Sequence, residues 1–272
     1  MLTTKRKSHL TLIIAVSAAF AVATAALFSS PFVPFLPAKV SPPSLQNLYV
    51  IYYGHLVNPD GSITEQASRI IETKPSLVIV PYSFPDGEPN LTAKVHQKFK
   101  DAGIKVLTYT WTKYGERNIG EVRTDIDSQL AAGVDGIFVD EVTNIMTDNE
   151  FIYYSVIYNY IKSHDKDALV VMNPGHYKVT EKIMQMSDIV SLEEEWVYHD
   201  QIAWMKNYSP TRFMGVSSNE YCDQCVTESN AASKTLEAWN SGIGYHFATD
   251  RYIDLPGWFS GYASQVKDIK QP

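Results

Sequence analysis

Two adjacent carboxylic acids, Asp140 and Glu141, end the segment GVDGIFVDE at residues 133–141. An apolar run that stops at acidic residues is typical of a buried parallel strand that delivers an acid to the mouth of an α/β barrel. Because side chains alternate along a strand, we expect Asp140 on the face of Gly136 and Phe138, and Glu141 on the opposite face. The two acids are therefore expected to have different roles.

A run of three glutamates, Glu193 to Glu195, follows a later apolar run. Such a run is ordinarily exposed to solvent. Glu193 stands directly at the end of the expected strand. Carboxylates from different strands in an open cleft are what glycoside hydrolysis requires, since one protonates the leaving oxygen while the other attacks the sugar or activates water. We predict Asp140 and Glu193 as the principal catalytic pair, with Glu141 tuning or replacing either one. This chemistry needs neither a metal nor an organic cofactor, and Asp140 could instead be a structural carboxylate bonded to loop amides.

Further reactive and aromatic side chains follow the expected strands. Aromatic rings pack on the apolar faces of sugars, and an amide can fix sugar hydroxyls, although such rings pack loops as often as they bind sugar. Asp250 could instead cap the turn before the last helix, and His55 and His246 are expected to be structural. The candidate substrate-binding residues are Asn173, Tyr52, Tyr82, Tyr109, Trp111, Tyr114, Trp196 and Asp250.

Eight short β-rich runs alternate with helical patterns, which predicts an α/β fold, a TIM (β/α)8 barrel. A doubly wound sheet is the alternative, but it usually has fewer strands and a Gly-rich loop after the first, and this sequence has no such loop there. The strands are expected at 48–53, 77–82, 105–110, 135–140, 169–173, 188–193, 212–217 and 243–248. The helices are expected near 64–74, 91–102, 120–132, 149–163, 178–186, 199–207, 227–240 and 257–268.

The first thirty residues differ from the rest, because three basic residues precede an uncharged apolar stretch at 10–28. We expect residues 1–30 to be a signal peptide or a membrane anchor: the stretch is just long enough to span a bilayer, and its Ala-rich end also suits cleavage. Residues 31–45 are a predicted Pro/Ser-rich linker, and residues 46–272 the barrel catalytic domain. The protein is accordingly expected to be extracellular or at the cell surface.

The formal net charge is −7, and it becomes −10 without residues 1–30, which carry only Lys5, Arg6 and Lys7 as ionised side chains. So acidic a domain disfavours nucleic acid as a partner and favours neutral or cationic ones. We expect a polysaccharide partner, membrane contact only through an uncleaved N-terminal segment, and a monomer.

Two local motifs carry weaker expectations. Cys222 and Cys225 form C-D-Q-C, and in an exported protein a local disulfide is expected, with a redox pair or half of a metal site as alternatives. The sequence has no second cysteine pair to complete a zinc site. Asn90-Leu91-Thr92 matches a glycosylation acceptor, which would lie on a surface loop.

Four segments together resemble the spherulation-specific family 4 proteins, the spherulin-4-like glycoside hydrolases. They occur in the family's order and at comparable spacing, and they cover strands 3 to 6. The segments are TYTWTKYGER (108–117), GVDGIFVDE (133–141), MNPG (172–175) and SDIVSLEEEW (187–196). The resemblance implies a TIM barrel and endo-hydrolysis of a galactosamine-containing exopolysaccharide that is partly deacetylated and so cationic.

The resemblance also implies that the family's functional acids correspond to Asp140, Glu141 and Glu193, and that Asn173 is the asparagine of the family's NPG segment. The loop PYSFPDGEPN matches only loosely, and the cysteine loop is particular to this chain. Three alternatives stay open: a chitinase-like barrel, a polygalactosaminidase-like barrel of another family, and a non-catalytic polysaccharide-binding surface protein. Phe138 disfavours the first, because that pattern normally has a further acid there. All three acids are present, which disfavours the last.

Overall fold

The computed structural model describes residues 48–84, 87–193, 203–220 and 222–269. The expected leader at 1–30 and the expected linker at 31–45 lie outside these residues. Within them, no helix combines the length and the apolar character that a membrane-spanning segment needs.

Eight parallel strands pair with one another in chain order, and a bridge between Leu48 and His246 links the last strand to the first. The sheet is thus a nearly closed barrel, which confirms the predicted TIM fold. Each strand begins and ends within two residues of its expected position. The strands are β1 Tyr49–Ile51, β2 Leu77–Val80, β3 Lys105–Trp111, β4 Gly136–Asp140, β5 Leu169–Met172, β6 Ile189–Glu193, β7 Phe213–Ser217 and β8 Tyr245–Ala248.

The described residues contain six α-helices, five of which connect strands and one of which follows β8. They are α1 Glu65–Thr73, α2 Ala93–Asp101, α3 Ile119–Ala131, α4 Asp148–His164, α5 Ala231–Asn240 and α6 Phe259–Asp268. The helix expected near 178–186 is a short 3-10 helix, Glu181–Met186. Its buried Ile183 and Met186 are three residues apart, the spacing that repeats on one face of a 3-10 helix. The described part of the expected helix at 199–207 is also a 3-10 helix, Ala203–Asn207.

Threonine and asparagine caps fix where the first four helices begin. Thr64, Thr92, Asn118 and Thr147 each accept a hydrogen bond from a backbone N–H in the first turn. Thr147 also forms a capping box with Glu150. Because these caps satisfy N–H groups that a helix leaves unpaired, they set the point at which each βα loop ends.

The strand register sorts side chains into layers inside the barrel. Tyr109 pairs with Phe138, and Phe138 pairs with Val171, so these three side chains share one layer. One layer further along, Trp111 pairs with Asp140. The face of the sheet that carries these side chains is the buried interior of the barrel. On that face of β1, the hydroxyl of Tyr49 donates to the Gly215 carbonyl of β7 at 3.1 Å. Asp140 therefore stands where the packed interior opens at the carboxyl ends of the strands.

The loops after β1 and β2 are held together by Asn90, which is only 1 % exposed. Its Oδ1 accepts from the N–H of Leu56 at 2.8 Å, and its Nδ2 donates to the carbonyls of Gly54 and Pro81 at 3.3 and 3.2 Å. The expectation of a surface glycosylation acceptor is wrong for this fold, because the amide nitrogen is buried and already bonded.

His246 lies on the outer face of β8, between the barrel and α5. Its Nε2 is 3.2 Å from Ser217 Oγ, and its Nδ1 is 2.8 Å from Thr235 Oγ1. Burial, with a smaller contribution from the charge of Lys234, lowers its pKa to about 3. The imidazole is therefore a neutral structural group in the folded protein.

This lowered pKa predicts a pH dependence of stability. Unfolded histidine has a pKa of about 6.5, so the stability due to neutral His246 is complete above that pH and is lost as the pH falls towards the folded pKa. Between about pH 6.5 and 4 we expect the Tm of the wild type to fall more steeply than that of His246→Gln, measured by thermal unfolding. The exposed His55→Gln is the control and should keep the wild-type slope. Equal slopes in all three proteins would refute the assignment.

Candidate active site

Asp140 presents one bonded and one open carboxylate oxygen at the end of β4. Its Oδ1 accepts two hydrogen bonds, from Asn173 Nδ2 at 2.8 Å and from the N–H of Glu141 at 2.9 Å. Its Oδ2 accepts none from the described residues. The bond to a loop amide matches the structural interpretation of Asp140, while the open Oδ2 leaves an oxygen for chemistry. The two donors fix the plane of the carboxyl group.

Asn173 orients this carboxylate, and several hydrogen bonds hold Asn173 itself in place. It directly follows β5 and is 4 % exposed. Its N–H donates to the Val139 carbonyl at 2.8 Å, and its Oδ1 accepts from the N–H of Gly175 at 3.0 Å. Gly175 has φ +59°, a left-handed conformation that glycine adopts without strain. The Asn-Pro-Gly turn thus aims the amide nitrogen at Asp140.

Burial raises the pKa of Asp140, and the hydrogen bonds from Asn173 and Glu141 oppose the rise without cancelling it. Removing a carboxylate from water penalises its charged form, whereas donors to that form favour it. A carboxyl group with a raised pKa keeps its proton to higher pH than an ordinary aspartic acid. This is the property that general acid–base chemistry near neutral pH selects.

Glu141 does not continue the strand, because β4 ends at Asp140 and Glu141 has φ +53°. The alternation that placed the two acids on opposite faces therefore stops at Asp140, and that expectation does not hold for Glu141. Burial raises the pKa of Tyr109, with smaller contributions from the charges of Asp140, then Glu141 and Asp125. Both adjacent acids thus act on the same phenol. A left-handed non-glycine residue costs about 1–3 kcal/mol, and such strain concentrates at functional sites.

Three tyrosines form a continuous aromatic surface beside these acids. The ring of Tyr53 lies 5.4 Å from that of Tyr109 and 5.9 Å from that of Tyr252, centroid to centroid. The N–H of Tyr53 donates to the Tyr252 carbonyl at 2.7 Å, which ties the loops after β1 and β8. Sequence reasoning chose Tyr52 instead of Tyr53, although alternation from the inward Tyr49 would have identified Tyr53. No sequence signal singled out Tyr252.

Two other predicted binding tyrosines, Tyr52 and Tyr82, make contacts that hold loops together. Tyr52 is 2 % exposed and its hydroxyl donates to the His55 carbonyl at 3.3 Å. Burial raises its pKa to about 12, with a smaller contribution from Asp254. Tyr82 is half-buried, and its carbonyl accepts from the N–H groups of Asn90 and Leu91, both at 3.1 Å. Both tyrosines hold loops together.

Trp111 and Tyr114 lie at the rim of the barrel, 42 % and 58 % exposed. The guanidinium of Arg117 stacks over the Trp111 ring, 4.8 Å from its centroid, and pairs with Asp125 at 2.7 Å. The N–H of Tyr114 donates to the Glu141 carbonyl at 2.8 Å. The loop that carries Tyr114 is thus bonded to the backbone of Glu141, directly after β4.

Asp250 follows β8, and its buried Oδ1 has no hydrogen-bond partner among the described residues. It does not cap the last helix, because α6 begins at Phe259 with Trp258 at the cap position. Buried polar atoms are nearly always bonded, so a buried, unbonded carboxylate oxygen is unusual.

Glu193 is the last residue of β6, and its backbone pairs with Gly215 after a register irregularity that begins at Ser191. Such irregularities re-aim side chains next to active sites. The barrel therefore brings the backbone of Glu193 to the same edge as Asp140, two strands away. The side chain of Glu193 and all of Trp196 lie outside the described residues.

The loop after β7 contains a disulfide between Cys222 and Cys225, whose Cα atoms are 5.6 Å apart. Asn230 Nδ2 donates to the Cys225 carbonyl at 3.0 Å. Across the described part of the chain, no group of three or more His, Cys, Asp and Glu side chains could hold a metal ion. The site described above presents carboxyl, amide and aromatic groups, and its carboxyl groups can move a proton or attack an electrophilic carbon beside an aromatic surface.

Two comparisons place this barrel among known proteins by fold. The Aspergillus clavatus Sph3 crystal structure, a complex with GalNAc, matches with a TM-score of 0.60 at 18 % identity over 82 % of this chain and 97 % of that chain. The GH2 β-galacturonidase of Eisenbergiella tayi, bound to galacturonate, matches with a TM-score of 0.51 at 12 % identity over 81 % of this chain and 51 % of that chain. At these identities the likeness shows a shared fold.

Sequence comparison is more specific. Spherulin-4 of Physarum polycephalum is 30 % identical over 189 residues, which cover 62 % of this chain and 54 % of that protein. The chain thus spans about half the length of this curated relative. The family model described as spherulation-specific family 4 matches residues 61–271. Because that match covers well over half of the chain and includes the loops that carry Asp140, Glu141 and Asn173, the chain belongs to spherulation-specific family 4.

Proposed function

We propose that this protein is a glycoside hydrolase that cleaves a galactosamine-containing, partly deacetylated exopolysaccharide by two-carboxylate chemistry. The observation that carries the proposal is Asp140, a carboxyl group with a raised pKa, one oxygen bonded twice and the other open, beside an aromatic surface. Membership of spherulation-specific family 4 supports it.

In the proposed reaction Asp140 Oδ2 is one reacting atom and the carboxyl group of Glu193 supplies the other. Glycoside hydrolysis needs one carboxyl group to protonate the leaving oxygen and a second to attack the sugar or to activate water. Asn173 and the N–H of Glu141 hold Asp140 Oδ1, so Oδ2 is presented in one orientation. Glu141 tunes Asp140 through its backbone N–H, and its own carboxyl group could replace either acid.

The aromatic and acidic character of the mouth supports the proposed substrate. Tyr53, Tyr109 and Tyr252 offer ring faces of the kind that pack on the apolar faces of a pyranose. The carboxylates of Asp140 and Glu141 favour a cationic amino sugar over an anionic one. Sph3, which shares the fold, was crystallised with GalNAc.

We further propose that the protein acts outside the cell membrane as a monomer. The disulfide between Cys222 and Cys225 supports this location, because disulfides persist in oxidising compartments. The uncharged stretch at 10–28 supports export, and an exopolysaccharide is itself outside the cell.

The proposal predicts release of reducing ends from partly deacetylated galactosaminogalactan, and little or none from chitin, chitosan or polygalacturonate. Asp140→Asn should lower the rate by about 10²–10⁴-fold, the usual range for losing an acid–base group. Asp167→Asn, an exposed change at the opposite end of the barrel, is the matched control and should keep the wild-type rate. Binding of the polymer by the wild type without release would favour a non-catalytic polysaccharide-binding protein.

The same substitution should make the protein more stable at neutral pH. Because the folded pKa of Asp140 is raised, ionised Asp140 costs stability above that pKa, and the cost disappears as the pH falls below the unfolded value of about 3.9. Asparagine keeps an oxygen that can accept from Asn173 and from the N–H of residue 141. We expect the Tm of Asp140→Asn to exceed that of the wild type by a few degrees at pH 7.5 and to approach it near pH 4. A lower Tm at pH 7.5 would show that burial does not penalise this charge.

A further inference from the structure

We propose that Thr112 is a positioning residue, which together with Tyr154 holds Glu141 in its left-handed conformation beside Asp140. Its effect on turnover rests on the proposed function, whereas its effect on the conformation of Glu141 does not. Thr112 directly follows β3. It contacts the backbone of Asp140 and Glu141 but not their carboxyl groups, so it takes no part in the proposed chemistry.

Thr112 binds the backbone of both acids at once. It is fully buried. Its N–H donates to the Asp140 carbonyl at 3.0 Å, and its Oγ1 lies 2.9 Å from the carbonyl oxygens of both Asp140 and Glu141. One side chain therefore fixes the two consecutive peptide groups that carry the acids.

The direction of this hydrogen-bond network follows from the groups that it contains. Carbonyl oxygens only accept, so the hydroxyl of Thr112 must donate to Asp140 and Glu141. Tyr154, a fully buried residue of α4, has its hydroxyl 3.4 Å from Thr112 Oγ1, and that hydroxyl accepts from the N–H of Thr143 at 3.0 Å. The Tyr154 hydroxyl can then donate to Thr112 Oγ1 or to Thr143 Oγ1, both at 3.4 Å, and in the first arrangement Thr112 donates in turn to the backbone of the acids. A helix that packs outside the barrel thus supports the two acids through one threonine.

The network also explains how two strained loops persist. Lys113, Tyr114 and Glu141 have φ of +51°, +52° and +53°, which is unfavourable for residues other than glycine. The N–H of Tyr114 donates to the Glu141 carbonyl at 2.8 Å, and Thr143 Oγ1 donates to the Tyr114 carbonyl at 2.8 Å. The loop after β3 and the loop after β4 thus stabilise each other, and Thr112 links them where the two strands end. Without the Thr112 hydroxyl, the Glu141 carbonyl loses one of its two donors among the described residues.

A matched control lies two residues earlier, inside β3. Thr110 is 1 % exposed, and its hydroxyl bonds the side chain of Gln129 at 3.2 and 2.9 Å on the outer face of the barrel. Valine at either position removes one buried hydroxyl and keeps the shape. Only Thr112→Val removes a hydrogen bond to the acids. Comparing the two valine variants therefore distinguishes a loss of positioning from a general loss of stability.

The kinetic test compares Thr112→Val and Thr110→Val on the galactosamine polymer, once wild-type release has been shown. We expect similar losses of Tm in both variants, and a fall in kcat of about 10–100-fold with nearly unchanged KM in Thr112→Val alone. Thr112→Ser keeps the hydroxyl and should restore most of the wild-type kcat, and Tyr154→Phe should show a smaller fall. Equal kcat in the two valine variants would overturn the role in turnover.

A second measurement does not depend on activity. Hydrogen exchange of the Tyr114 amide, which donates to the Glu141 carbonyl, should be faster in Thr112→Val than in the wild type and unchanged in Thr110→Val. If the wild type releases nothing from any polymer, the proposed function fails and this exchange still tests the positioning. Unchanged exchange in Thr112→Val would overturn the positioning role whatever the activity. If Thr112→Val does not fold, the same comparison is made with Tyr154→Phe.

Discussion

The parallel register of β3, β4 and β5 decides which side chains reach the mouth of the barrel. Because partners in this register share a face, Tyr109, Phe138 and Val171 fill one interior layer, and the next layer along β4 is Asp140. A shift of one residue in β4 would replace Asp140 with Val139 on the inner face. The aromatic surface, the open carboxylate oxygen and the amide that orients it all depend on this single arrangement.

Much of the barrel follows from the sequence, because buried parallel strands consist of short runs of β-branched and apolar residues. The position of Asp140 follows for the same reason, since it ends such a run. The conformation of Glu141 did not follow, because glutamate carries no signal for a left-handed backbone, which tertiary contacts impose here. Tyr53 was recoverable from alternation, whereas Tyr252 depends on how the loop after β8 folds back. Asn90 matched a surface motif but is buried by contacts with a loop distant in sequence.

Asp140 and Glu141 show two different costs of building a reactive site. The first is electrostatic: Asp140 is moved out of water, and its two hydrogen bonds recover only part of the lost solvation. The second is conformational, since Glu141 and the loop after β3 adopt backbone angles that are unfavourable in isolation. The rigid strands and the capped helix α4 that packs against them maintain both the buried carboxyl group and the unfavourable backbone angles. Such a site trades stability for a fixed geometry.

The loops at the mouth differ in how freely they could change during evolution. The loops after β1 and β2 share Asn90, and those after β3 and β4 share Thr112, so an insertion in one member of either pair would disturb the other. The loop after β7 is partly closed on itself, by the disulfide and by the two bonds between Asn219 and Val226 at 2.7 and 2.9 Å. Ser218 at the start of this loop accepts from the Tyr252 hydroxyl at 3.3 Å, so only the part between Asn219 and Val226 is closed on itself. Related barrels could therefore diverge in sequence at this part of the loop first.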